Sequence, residues 1–318
     1  MHQKKSFVTF LLIISFLLSS DLFSQNNSTY NFLTLNVDAR SSALAGSVEA
    51  IVNDVNSIYY NPAGLSTLEN PQASVGFFKY LLDINSGSAA YSQQYKDIGY
   101  FGIGIRYINY GSFEKYDETY TNTGTFNAND VAISIGYANK YIDRLHYGVN
   151  AKFIYSSYDE YSSTAIAADL GLMYLMPEYT LNIGISLLNV GTQLDPYINT
   201  REELPLDLRI GFNKRLEYLP LTFSAALHNL AAGEDKFFDR FKNITVGGEF
   251  DLNEYMKLRI GYNNQHRQDL KTGSTIGIGG FSAGFGIKLK EKYLIDYSFN
   301  SLGKIGTTHR INVGFHLE

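Results

Sequence analysis

The feature that most constrains the fold is an alternation of apolar and polar residues that begins near Gln72 and continues to the end of the chain. Such alternation places the apolar side chains on one face of a β-strand and the polar ones on the other. A clear example sets Phe101, Ile103, Ile105 and Tyr107 against Gly102, Gly104 and Arg106. The segments run for about 9–12 residues, the length of a tilted membrane-spanning strand rather than a soluble one.

Counting these segments predicts 14 strands. They are expected to start near Gln72, Ser86, Ile98, Asp130, Leu145, Thr164, Tyr179, Pro205, Leu221, Lys242, Tyr255, Gly277, Tyr293 and Thr307. Short connections such as residues 96–97 alternate with longer ones such as residues 111–127. A soluble sandwich or lipocalin-like barrel also alternates in polarity, but it has no reason to alternate the lengths of its connections. This rhythm is typical of outer-membrane barrels.

The first residues are typical of a secretory signal peptide. Lys4 and Lys5 precede an apolar run over residues 7–18, and small residues follow up to Ser24, where we expect cleavage. The alternative, a membrane anchor helix, needs about 20 apolar residues, and Asp21 ends this run earlier. We therefore expect a signal peptide over residues 1–24, a plug over residues 25–70 and a barrel over residues 71–318.

The composition narrows the class of function. The chain has no cysteine and a formal net charge of −5. Disulfides and thiolate metal sites are therefore excluded, and the acidic balance argues against a nucleic-acid partner. The chain has 25 Tyr, 21 Phe and no Trp. Such aromatic content suits the aromatic girdles of a membrane barrel.

The segment before the first strand predicts a compact plug inside the barrel. Small residues, glycine and an Asn-Pro step indicate a short helix and turns rather than an amphipathic surface helix. The motif Asn61, Pro62, Ala63 and Gly64 is the most distinctive part of this segment. The predicted fold is thus an all-β, 14-stranded antiparallel transmembrane barrel with an N-terminal plug that contains a short helix.

No pattern in the sequence predicts catalysis, a cofactor or a metal. The six histidines show no metal-binding spacing, and the glycines at residues 277–286 precede no helix, as a dinucleotide-binding loop would require. Charged residues fall on the polar faces of the strands, where we expect them to pair with one another or to line a wet interior. These residues are Arg106, Lys152, Arg209, Glu249, Arg259, Lys288 and Asp296.

Aromatic residues also mark the longer connections. They are Phe113, Tyr116, Tyr120, Phe126, Tyr158, Tyr161, Phe237 and Phe238. One interpretation assigns them to the upper aromatic girdle, which faces lipid. The other makes them a docking surface for a second protein, because Tyr and Phe are enriched at interface centres. The sequence leaves both interpretations open.

Several motifs resemble known outer-membrane proteins. Residues 42–46 (SALAG) and 61–65 (NPAGL) are similar to the opening of the FadL-like barrels. Residues 204–212 (LPLDLRIGF), 258–263 (LRIGYN), 267–270 (RQDL) and 280–288 (GFSAGFGIK) resemble the PorQ family of the type IX secretion system of Bacteroidetes. The resemblance covers residues 31–317.

The resemblance implies a non-catalytic component that anchors a PorZ-like surface protein, alongside PorU and PorV, in the complex that attaches secreted cargo to lipopolysaccharide. Two alternatives stay open: a FadL-like transporter of small hydrophobic molecules, and a PorV-like carrier of cargo C-terminal domains. A transporter needs an apolar pocket reached from the outer loops. The Gly-, Asn- and charge-rich inner faces favour the anchor.

Overall fold

The computed structural model describes residues 28–80, 83–231, 241–270 and 278–317. In them, 14 antiparallel strands form one closed barrel, which confirms the predicted fold class. The strands are β1 (Gln72–Lys79), β2 (Asn85–Tyr95), β3 (Gly99–Tyr116), β4 (Asn122–Ile142), β5 (Leu145–Tyr158), β6 (Tyr161–Met176), β7 (Leu181–Asp195), β8 (Asp207–Arg215), β9 (Leu221–Leu227), β10 (Ile244–Asp251), β11 (Met256–Asn263), β12 (Phe281–Leu289), β13 (Tyr293–Ser301) and β14 (Thr307–His316). The predicted signal peptide, Phe237 and Phe238 lie outside the described residues.

Each strand pairs with its neighbours along the chain, and β1 closes the barrel by pairing with β14 from Gln72↔His316 to Lys79↔His309. The start of β1 and the end of β14 lie at the same end of the barrel, where every connection between strands has five residues or fewer. We call this the turn end and the opposite one the loop end. In an outer-membrane barrel, short turns mark the periplasmic side.

The barrel wall is uneven in height. Strands β3 to β7, which we call the tall wall, are 14 to 21 residues long, whereas β8 to β14 have 7 to 10 residues. The predicted loop over residues 111–127 is therefore mostly strand. An irregularity between Asn109 and Ser112 shifts the register, and the hairpin then continues through the pair Phe113↔Phe126.

The two faces of the wall differ as the alternation predicted. Phe101, Ile103 and Ile105 are exposed on the outside, as are large apolar residues of most other strands. Such a surface suits contact with lipid. Six of the seven charged residues predicted to point inward are buried, and Lys288 is half-buried near the end of β12.

The plug runs inside the barrel before β1. It contains the helix α1 (Ala39–Ala43) and short 3₁₀ helices at Asn31–Thr34, Val55–Tyr59 and Pro62–Thr67. Its buried apolar side chains, which include Leu44, Ile58 and Leu65, form one core with Ala90 and Ala138 of the barrel wall. The short helix α2 (Asn264–Asp269) follows β11 at the loop end. No helix in the described part of the chain is long and apolar enough to span a membrane.

Candidate functional site

Glycines on the inner wall allow the plug backbone to approach the strands closely. A Cβ atom at Gly184 of β7 would lie 2.0 Å from the carbonyl oxygen of Glu49, and one at Gly148 of β5 would lie 2.4 Å from the carbonyl carbon of Pro62. On the opposite wall, a Cβ at Gly261 would lie 2.6 Å from the carbonyl oxygen of Ala43. No other residue type fits at such distances, because real Cβ atoms do not approach backbone so closely.

The motif Asn61-Pro62-Ala63-Gly64 fastens the plug to the tall wall. The Asn61 side chain caps the following 3₁₀ turn by accepting from Ala63 N at 3.2 Å, and its amide donates to the carbonyl oxygens of Glu49 (2.7 Å) and of Leu172 on β6 (3.1 Å). Pro62 occupies the first position of the turn, where its missing N–H costs nothing. The role of this motif in the structure is therefore to position the plug.

Buried ion pairs join the plug to the low wall formed by β8 to β14. Arg40 of α1 forms a two-pronged contact with Glu249 of β10, with both N···O distances at 3.0 Å. Glu249 is also held by Arg259 at 2.6 Å, and Arg259 contacts Asp296. The predicted pairing of inward charges thus occurs here, and it includes a plug residue. Arg–carboxylate pairs of this kind fix orientation as well as adding energy.

A second group of charged side chains joins the plug to β8 of the low wall. Arg209 of β8 contacts Asp207 at 2.7 Å and Glu49 of the plug at 3.5 Å. Burial raises the pKa of Glu49 to about 7, although Arg209 acts in the opposite direction. Burial and Arg209 lower the pKa of His228 to about 3, so its imidazole is neutral. Glu49 therefore titrates within the physiological range.

Toward the loop end, the plug fills one side of the lumen. Tyr30, Phe32 and Leu33 pack against inner-face residues of the tall wall, among them Ile108 and Ile154. The Tyr30 hydroxyl contacts the Ser163 hydroxyl at 2.5 Å, and Thr29 N donates to the carbonyl oxygen of Glu203 at 3.0 Å. The tall side of the lumen is thus packed from the turn end almost to the rim.

The low side of the lumen keeps open space, which we call the polar chamber. Two neighbouring cavities of about 220 and 330 Å³ share five lining residues: Thr34, Arg209, His228, Asn263 and His266. The remaining lining of the larger cavity is mostly polar, whereas that of the smaller one combines polar side chains, among them Asp269 and Arg310, with apolar ones such as Leu270, Phe281 and Leu302. This lining does not match the mostly apolar one expected of a pocket for hydrophobic molecules.

Four of the predicted aromatics form a row across the top of the tall wall, which we call the aromatic ladder: Phe113, Phe126, Tyr158 and Tyr161. Phe113 stacks on Phe126 with ring centroids 5.3 Å apart, and Phe126 meets Tyr158 edge-on at 4.9 Å. Tyr158 pairs with Tyr161 across the β5–β6 hairpin and with the buried Ala128 on β4. Cross-strand partners share a face, so the ladder lies on the lumen side rather than the lipid side.

The remaining predicted aromatics lie apart from the ladder. Tyr116 is exposed on β3, and its hydroxyl donates a hydrogen bond to the Glu114 carboxylate. Tyr120 is 89% exposed in the turn that follows. Among the described residues, no group of three or more His, Asp or Glu side chains could hold a metal ion.

Some residues of this site were not found from the sequence. Arg40 and Glu49 belong to the plug, where no periodicity indicates which side chains meet the wall. Arg310 is buried inside the barrel, and its place in the alternation of β14 could have revealed it, since Asn312 and Gly314 share its face.

Comparisons with known proteins agree on the fold. No protein-family model matches the sequence, and no curated protein does. Among solved structures, a FadL homologue of Pseudomonas aeruginosa superposes with a TM-score of 0.58 at 9% identity, covering 89% of this chain and 98% of that one. The toluene transporter TbuX of Ralstonia pickettii gives a TM-score of 0.56 at 13% identity, covering 89% and 99%. The toluene transporter TodX of Pseudomonas putida gives 0.55 at 12% identity, covering 92% and 98%. The chain therefore has the fold of the FadL-type barrels.

Proposed function

We propose that the chain is a plugged outer-membrane barrel that docks a surface protein at its loop end, with no catalytic role of its own. The resemblance to the PorQ family implies that the partner is a PorZ-like protein of the type IX attachment complex, with PorU and PorV nearby. In this account the barrel is an anchor. The plug closes it, and the tall wall presents the contact surface.

The observation that carries the proposal is the position of the aromatic ladder. A lipid girdle needs rings on the outer face of the wall, whereas the four ladder rings share the inner face, with Phe113, Tyr158 and Tyr161 between 41% and 51% exposed. Rings in that position face neither lipid nor a packed core. Exposed aromatics that are clustered and rigid are what protein interfaces use as anchors.

The test is purification of the tagged protein from gently solubilised outer membrane, with partners identified by mass spectrometry. The variant Phe126→Ala with Tyr158→Ala removes the centre of the ladder and should reduce recovery of the PorZ-like protein by about tenfold or more. The control is Tyr141→Ala, because Tyr141 is an exposed aromatic at the turn end. Equal recovery of the PorZ-like protein with the unaltered chain, the double variant and Tyr141→Ala would rule out the ladder as the docking surface.

A second candidate is supported by the fold itself. TbuX and TodX are toluene transporters, and the likeness to them favours transport of small hydrophobic molecules more directly than it favours anchoring. The polar side chains that line the chamber argue against this function, because a pocket for hydrophobic molecules is mostly apolar. Mass spectrometry of organic extracts of the purified barrel distinguishes the two. A stoichiometric fatty acid or hydrocarbon, recovered without any protein partner, would make the transporter the better account. A PorV-like carrier would instead yield cargo C-terminal domains in the same purification.

A further inference from the structure

The polar chamber contains a buried cation that has no carboxylate at ion-pair distance among the described residues. Arg310 of β14 lines the smaller of the two cavities of the chamber, the one of about 220 Å³, beside α1, and is only 6% exposed. Its Nη1 donates to the Ser42 hydroxyl at 2.7 Å and to Asn300 Oδ1 at 3.2 Å, and its guanidinium lies 3.6 Å from the centre of the Phe78 ring. Its Nε has no hydrogen-bond partner among the described residues.

The neighbouring carboxylates are already engaged. Asp207 is held by Arg209 and by Asn229 N, and Asp269 accepts from Gln265. Asp38 of the plug accepts from Ser41 N at 3.0 Å and from the Tyr60 hydroxyl at 2.8 Å. Asp38 attracts the charge of Arg310 through space, but no carboxylate of the described residues lies within ion-pair distance of it. A buried charge and a buried unpaired donor are both costly unless something compensates them.

We propose that the polar chamber binds a small, polar anion, whose phosphate or carboxylate group meets Arg310 and whose body forms hydrogen bonds with the other lining residues. Three features support this. Arg310 lines the chamber and has no ion-pair partner among the described residues, so its guanidinium supplies a positive charge for an oxyanion. The amides of Asn36 and Asn263 and the hydroxyls of Thr34 and Thr308 match a hydroxylated solute. The cavity volumes accommodate a ligand of about the size of one sugar acid.

The inference is independent of the docking role, because it rests on the low wall and the plug rather than on the aromatic ladder. It also differs from transport. The chamber lies on the loop side of a plug that is bonded to the wall, so the ligand is held there rather than passed through the lumen.

The experiment is calorimetric titration of the full chain, purified in a neutral detergent, with glucuronate, inorganic phosphate and glucose. We expect both anions to bind and glucose, which lacks the charge, to give no measurable heat. Arg310→Gln should weaken glucuronate binding by about tenfold or more, as expected for a charged hydrogen bond. Arg201→Gln is the matched control, because it removes an exposed arginine at the same end of the barrel, outside the chamber lining.

Faster migration of unheated samples on denaturing gels shows that each variant is a folded barrel. If Arg310→Gln does not fold, Arg310→Lys takes its place; it keeps the charge and should retain anion binding. In that case, the comparison of the two anions with glucose on the unaltered chain tests whether the chamber selects an anion. The inference is overturned if the unaltered chain binds no anion, if glucose binds as tightly as glucuronate, or if folded Arg310→Gln binds glucuronate like the unaltered chain.

Discussion

At the scale of single residues, the inner-face glycines do two things at once. They continue the period-two alternation, and they leave the space that the plug backbone occupies. The sequence indicates the first from local spacing alone. It does not indicate that Gly148 faces Pro62 or that Gly184 faces Glu49, because those partners are separated by more than 80 residues and no local pattern relates them.

The close approach at Gly148 leads to a first prediction. Gly148→Ala adds a methyl group that would lie 2.4 Å from the carbonyl carbon of Pro62 and 2.5 Å from Ala63 N. Overpacking of this kind should destabilise the plugged barrel by about 1–3 kcal/mol, seen as a lower temperature of loss of the folded gel band. Gly87→Ala is the control, since its Cβ would meet nothing closer than 4.0 Å. Equal losses in the two variants would contradict the account.

A second prediction at this scale concerns pH. Burial raises the pKa of Glu49 to about 7, so the folded chain binds this proton more tightly than the unfolded chain. Protonation of Glu49 therefore adds to the free energy of unfolding at low pH, and this stabilisation is lost as the pH rises through about 7. It amounts to about 3 kcal/mol across the full range. Glu49→Gln cannot titrate, so its melting temperature should fall less than that of the unaltered chain between about pH 5 and pH 9. The same decline in both proteins would be incompatible with a buried, titrating Glu49.

At the scale of elements, strand number and order could be predicted, whereas the height of the tall wall could not. Alternation is a local signal, and all 14 segments form strands in the predicted order. Residues 111–127 looked like a loop because Asn, Thr, Gly and Asp interrupt the apolar pattern. Cross-strand stacking of Phe113 on Phe126 instead continues the hairpin. That contact depends on a register shift, which sequence spacing does not reveal.

The plug, as an element, gives a third prediction. The chain has no cysteine, so Ser57→Cys provides a single buried reporter in the plug. Adding Arg40→Met breaks the contacts of Arg40 with Glu249 and Asp54, while Glu249 keeps Arg259. Thiol labelling of the reporter should speed up by about tenfold, because loss of a partly buried pair loosens the plug. Lys115→Met, which breaks an exposed pair with Asp159 at the loop end, should leave the rate unchanged. An unchanged rate in Arg40→Met would show that the plug does not depend on this pair.

At the scale of the whole molecule, the fold alone does not determine the function. The barrel plan is shared with toluene transporters at 13% identity or less, and a shared fold does not fix a function. This molecule combines a plug joined to the wall by ion pairs, a largely polar chamber, and aromatic rings on the inner face of one raised wall. The sequence predicted the barrel and the plug segment, but these relationships depend on contacts between distant residues.

The most direct test of the central claim is cross-linking in living cells from a photoreactive phenylalanine analogue placed at Tyr158. The matched position is Phe153, an exposed residue on the lipid side of the same strand. The account predicts a cross-link from Tyr158 to a PorZ-like surface protein and none to protein from Phe153. Cross-links to protein from neither position, or from Phe153 alone, would contradict docking through the aromatic ladder.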